Sequence, residues 1–196
     1  MQHDKLFNSI LIKKAFYYAA EKHDGQYRKG TKTPFFVHPS LVALGVSEYT
    51  NNENTIVAAV LHDVIEDCEV STEELSNEFN KEISKIVKCL SLPQINKREK
   101  KEWRNRKKRY IELITNASED VLLIVAVDKM FNMKTYFNYA ITKNIKMLNK
   151  LFSGTVGDYL WYYGEIAKVI DSKLGNHPVT KDYNDMLQYF TNILKN

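Results

Sequence analysis

Cysteine is scarce in this chain of 196 residues: there are two, Cys68 and Cys89. Neither sits at the spacing of a disulfide framework, a redox motif or a zinc ligand set, so both are read as reduced thiols. Proline (4) and glycine (7) are few as well, which excludes collagen-like, proline-rich and low-complexity chains. No run approaches the roughly 18 apolar residues of a membrane span. Met1 to Ile10 carries Asp4 and no apolar h-region, so a secretory signal is not expected and a cytoplasmic location is. Alternating patterns long enough for a strand are missing, and so are repeats and linkers. One all-α domain over residues 1–196, a helical bundle, is therefore expected. A chain of this length buries roughly 70% of its unfolded surface and needs no staples.

Aromatic residues are abundant, with 12 Tyr, 9 Phe and 2 Trp. The net charge of +4 conceals an uneven layout. Residues 97–109, KREKKEWRNRKKR, hold nine basic and two acidic side chains. Residues 48–82 hold ten acidic side chains and one Lys. A basic run is by default a solvated helix face, and it can also attract a polyanion. The acidic stretch would repel nucleic acid, so nucleic-acid binding ranks last among the readings.

Helical spacing recurs along the chain. Leu6, Phe7, Ile10, Leu11, Phe16, Tyr17 and Ala20 mark a first helix, with Gly25 after it. Residues 25–36 are polar and Gly-containing, so a loop is expected. Pro39 suits a first helical turn, and Leu41, Val42, Leu44 and Val46 offer an apolar face. Asn54 or Thr55 can cap a helix running through IVAAVLHDVIED, and Ser71 with Glu74 forms a capping box. Ile83, Ile86, Val87 and Leu90 mark another helix, ended by Pro93. The basic run continues into Tyr110, Ile111, Leu113 and Ile114. Ser118, Glu119 and Asp120 open a long apolar helix, and two more are expected near 156–173 and 180–194.

Four candidate metal ligands lie on three elements: His38, the pair His62 and Asp63, and Asp128. A charged Asp among apolar neighbours is costly unless it is paired or bound to a cation. Two such carboxylates would repel each other, and one divalent ion with two imidazoles answers both problems. Taken singly, each has a plainer reading: a core histidine bonded to backbone, or Asp128 ion-paired with Lys129. The joint occurrence favours a metal. Glu66 and Asp67 follow one turn after His62 and Asp63, placed to hold and deprotonate an attacking water; a solvated acidic helix end is the rival for Asp67. Asn132, one turn after Asp128, can donate to substrate or to a ligand, and otherwise is a helix amide facing solvent. Arg28, Lys29 and Lys32 place positive charge at the mouth of such a site, or form an ordinary basic loop.

The segments AAEKHDGQYRKGTKTPFFVHP, AAVLHDVIEDCEVSTEEL and VDKMFNM resemble HD-domain metal-dependent phosphohydrolases. More narrowly, they resemble the hydrolase domain of RelA/SpoT proteins, of the small alarmone hydrolase and metazoan SpoT homologue type. The resemblance covers residues 5–135, and loosely WYYGEIAKVI at 161–170. It implies one bound Mn²⁺, although Zn²⁺, Fe²⁺ or Ni²⁺ fit the same donors. It implies hydrolysis of the 3′-pyrophosphate of (p)ppGpp to GDP or GTP and pyrophosphate. The ligands would be His38, His62, Asp63 and Asp128, and the water-activating pair Glu66 and Asp67. Arg28, Lys29, Asn132 and Tyr162 would contact the nucleotide. No synthetase segment is recognised, so a hydrolase-only member is expected. Alternatives are another nucleotide substrate (a ppApp-type alarmone, the 2′-phosphate of NADPH, a nucleoside monophosphate) or an antitoxin-like protein that binds a nucleotide or a synthetase. A homo-oligomer stays open.

Overall fold

A computed structural model describes residues 8–92, 103–142 and 153–195. They are helical, with no strand among them and one isolated bridge between Tyr27 and Pro34. The all-α expectation holds. The chain divides into two compact units, residues 1–94 and 95–196.

In the first unit, α1 (Ile10–Lys22) is capped by the Ser9 side chain, which accepts from the Ile12 amide. Its buried face is Ile12, Ala15 and Ala19. Ile10 and Tyr17, which the spacing placed on that face, are 84% and 80% exposed. After the loop, α2 (Val37–Ser47) holds Pro39 in its first turn, where a missing N–H costs nothing. Val42, Ala43 and Val46 are its core residues, while Leu41 and Leu44 face solvent. The next helix, α3 (Glu53–Val60), is capped by Asn52 rather than by Asn54 or Thr55. Every residue from Thr55 to Val60 is buried, and α1, α2 and α6 (Lys81–Leu90) all pack on α3. A single turn, α4 (Val64–Asp67), and α5 (Thr72–Glu78) lie between. Ser71 accepts from the Glu74 amide as expected of a cap. The Glu74 carboxylate turns instead to the Tyr18 hydroxyl and to Lys22. Pro93 and the first part of the basic run lie outside the described residues.

The second unit comprises α7 (Trp103–Thr115), α8 (Glu119–Thr142), α9 (Val156–Leu174) and α10 (Pro178–Lys195). Helices α7, α8 and α10 each pack on α9, and α10 also packs on α8. Eight consecutive residues of α8, Val121 to Asp128, are buried, as an all-round apolar helix should be. A capping box closes the start of α9: Thr155 accepts from the Asp158 amide, and Asp158 accepts from the Thr155 amide. This core takes part of the aromatic surplus: Tyr136, Tyr159, Tyr162, Tyr163, Tyr183 and Phe190 are buried in it.

Candidate metal centre

The expected continuous helix through IVAAVLHDVIED is broken. Leu61, His62 and Asp63 form a turn between α3 and α4. The Val64 amide bonds back only three residues, to the Leu61 carbonyl (3.1 Å), a 3₁₀-type tightening. The helical register then resumes, with the Asp67 amide on the Asp63 carbonyl (2.9 Å). The break has a chemical consequence. Beside it, in the last turn of α3, the Ala59 carbonyl accepts from His62 Nδ1 (2.8 Å). A carbonyl can only accept, so the Nδ1 proton is fixed, and in the neutral ring Nε2 carries the lone pair. That is the tautomer a metal-ligating imidazole needs, set by its other nitrogen.

His62 is buried at 5% exposure and Asp63 is half-buried at 25%, so Asp63 is less enclosed than its apolar neighbours suggest. The two meet at 3.1 Å between Nε2 and Oδ2. His38, in the first turn of α2, is also buried, and its ring lies edge-on to that of His62 with centroids 5.4 Å apart. Phe35 packs against His38 on one side and stacks on His23 on the other (4.7 Å, 29°). Arg28 lies over the Phe35 ring at 5.4 Å. The loop carrying Arg28 and Lys29 is held by Gln26, whose amide donates to the Asp67 carbonyl (3.1 Å) and lies 2.9 Å from His23 Nδ1. Nothing in the sequence pattern pointed to Gln26. Cys68 Sγ sits 3.2 Å from His23 Nδ1, and burial pushes its thiol up to about 11, so it stays protonated.

Glu66 and Asp67 occupy α4. Burial of the Asp67 carboxyl, and after that the charges of Asp63 and Glu66, raise it to about 7, with His62 and Arg28 opposing. A carboxylate near neutrality suits a general base.

On α8, both oxygens of Asp128 are engaged. Lys129 Nζ donates to Oδ2, and Asn132 Nδ2 donates to Oδ1 at 2.6 Å. The ion pair named above as the plainer reading of Asp128 is therefore present, and its buried charge does not by itself demand a metal. Asn132 acts on Asp128 rather than facing solvent. Tyr162 is buried on α9, with its ring against Trp103, Tyr110 and Tyr163 and the Lys107 ammonium 4.6 Å above it. Burial raises its hydroxyl well above the ordinary phenol range.

One ligand atom from each of His38, His62 and Asp128 lies within 4.8 Å of the other two. All three residues are buried, and together they can hold a metal ion. Two imidazoles and a carboxylate, one imidazole in a fixed tautomer, fit a borderline divalent cation.

Residues 15–149 match the HD domain family. The chain belongs to that family. The guanosine-3′,5′-bis(diphosphate) 3′-pyrophosphohydrolase of Aquifex aeolicus (strain VF5) is 33% identical to this HD-domain protein over 136 residues, covering 69% of this chain and 19% of that one. A probable enzyme of the same description from Mycoplasma pneumoniae (strain ATCC 29342 / M129 / Subtype 1) is 30% identical over 185 residues, 90% of this chain and 23% of that one. This HD-domain chain thus spans about a fifth of the length of the curated relatives it matches. A solved structure of a metazoan SpoT orthologue that hydrolyses ppGpp matches with a TM-score of 0.69 and 26% identity, covering 91% of this chain and 94% of that one.

Proposed function

We propose that this HD-domain protein hydrolyses the 3′-pyrophosphate of (p)ppGpp, giving GDP or GTP and pyrophosphate, with one divalent cation, Mn²⁺, held by His38, His62, Asp63 and Asp128. The observation that carries the reading is the convergence of two imidazoles and a carboxylate within 4.8 Å. The names of the relatives supply the substrate. A cation at these donors supplies Lewis acidity and lowers the pKa of water.

The chain's own groups do the rest. Asp67 takes the proton of the attacking water, and Glu66 orients it. The water oxygen bonds to the phosphorus carried by the ribose 3′ oxygen; the bond to that oxygen breaks, and it departs as a hydroxyl with the proton that Asp67 removed. Arg28 and Lys29 pair with the phosphates. Asn132 and Tyr162 contact the nucleotide. Such a substrate places the enzyme in the cytoplasm. Residues 1–196 serve as one hydrolase domain, a reading supported by a family match that runs through residue 94.

The test is an assay on ppGpp with Mn²⁺ and product identification, beside ppApp, NADPH and nucleoside monophosphates. His62→Ala and Glu66→Ala should each lose about a hundredfold or more in rate. Full activity in either variant, or faster turnover of another panel member, overturns the assignment.

A further inference from the structure

Asp128 has a protein cation on it already. Lys129 is the next residue on α8, yet its side chain folds back so that Nζ donates to Asp128 Oδ2. The pair is secluded, with side-chain exposures of 13% for Lys129 and 9% for Asp128. The ammonium also lies over the Tyr110 ring at 5.0 Å, a cation–π contact that holds it in place from α7. Asn132 fixes the other carboxylate oxygen. Two donors of different charge therefore divide one carboxylate: a neutral amide that orients it, and a full positive charge that neutralises it.

Those two roles have opposite consequences for a divalent ion. An orienting amide helps the cation, because the carboxylate is presented in a set direction. A neutralising ammonium opposes it, because two positive charges near one buried carboxylate repel at low effective dielectric. The same ammonium supports the metal-free chain, in which a buried, unpaired Asp128 would be costly.

We propose that Lys129 is the resident counter-ion of Asp128. It holds the carboxylate while no metal is bound and sets the affinity of the centre by competing electrostatically with the cation. Lys129 is thus a positioning residue that trades metal affinity for stability of the metal-free fold. The inference rests on the metal reading given above.

The experiment measures Mn²⁺ binding to the full chain by titration calorimetry, and thermal unfolding in chelator, for wild type, Lys129→Met and Lys129→Arg. Lys129→Met keeps the stem and removes the charge. It should bind Mn²⁺ on the order of tenfold more tightly, while unfolding at lower temperature in chelator. Lys129→Arg should return both values toward wild type. A purely structural lysine would weaken binding and stability together, so a folded Lys129→Met chain with unchanged or weaker Mn²⁺ affinity overturns the proposal. Folding of Lys129→Met only when Mn²⁺ is present supports it. Should that variant fold under neither condition, Lys129→Gln replaces it and is judged by the same two outcomes. Failure of the wild type to bind any divalent cation sinks the metal reading itself; binding by wild type with no response to Lys129→Met sinks the counter-ion alone.

Discussion

Asp67 shows how a single side chain can carry a site's pH behaviour. Its ordinary value lies near 3.8, and crowding by protein atoms and by Asp63 and Glu66 lifts it to about 7 in the folded chain. The folded state therefore binds a proton more tightly than the unfolded state does. The stabilisation this contributes is complete below about pH 4 and is lost as the pH rises through 7. In chelator, the wild-type melting temperature should fall over that window, partly through Asp67. Asp67→Asn should fall less steeply, matching wild type at low pH and exceeding it at pH 8. Parallel profiles for the two proteins would show that Asp67 is not the group concerned. Mn²⁺ nearby favours the ionised carboxylate, so the wild-type profile should flatten when the metal is added.

At the scale of elements, the decisive feature is the break between α3 and α4, and the sequence concealed it. IVAAVLHDVIED contains neither Gly nor Pro, and its propensities read as one unbroken helix. Only the folded chain shows the tightened turn at Leu61 to Asp63 and the bond from His62 Nδ1 to Ala59. Helix positions elsewhere were legible because they depend on caps and breakers: Ser71, Pro39 and the start of α9 stand where expected. Helix faces were less so. Period alone placed Ile10, Tyr17, Leu41 and Leu44 inside, and the folded chain leaves them exposed. Within the site, His38, His62 and Asp128 were found from chemistry, since few reasons bury such groups together. The anchoring by Gln26 and the division of Asp128 between Lys129 and Asn132 depend on side-chain directions that spacing does not carry.

The end of α4 yields a prediction of its own. Glu69, just past the C-cap Cys68, has φ 58°, the left-handed conformation that usually falls to Gly at this place. A non-glycine residue there costs about 1–2 kcal/mol, and Gly gives back roughly 0.5–1 kcal/mol through its freer unfolded chain. Glu69→Gly should therefore stabilise the protein by about 0.5–1 kcal/mol in urea unfolding, with the denaturant dependence unchanged. Glu69→Ala, which keeps the strain, should gain little. Equal gains from both would assign the effect to the removed charge instead.

At the scale of the molecule, the proposed activity would link stability and function through the cation. Each unit has an apolar core, around α3 in the first and around α8 and α9 in the second. Lys129 already compensates Asp128. The chain should accordingly fold in the absence of metal, unlike small zinc modules whose only core is the ion. Metal should then act as a ligand of a preformed fold. Binding only to the folded state adds RT ln(1 + [M]/Kd), about 2.7 kcal/mol at a hundredfold excess over Kd. For a chain of about 200 residues that corresponds to a rise of roughly 5–11 °C in melting temperature. The rise should climb linearly with log[Mn²⁺] above Kd and vanish in chelator, with helical circular dichroism unchanged at 25 °C. His38→Ala should abolish the rise while leaving the metal-free protein folded. Loss of helix on chelation of the wild type would instead make the ion a structural one, and a rise that survives His38→Ala would place the binding site elsewhere.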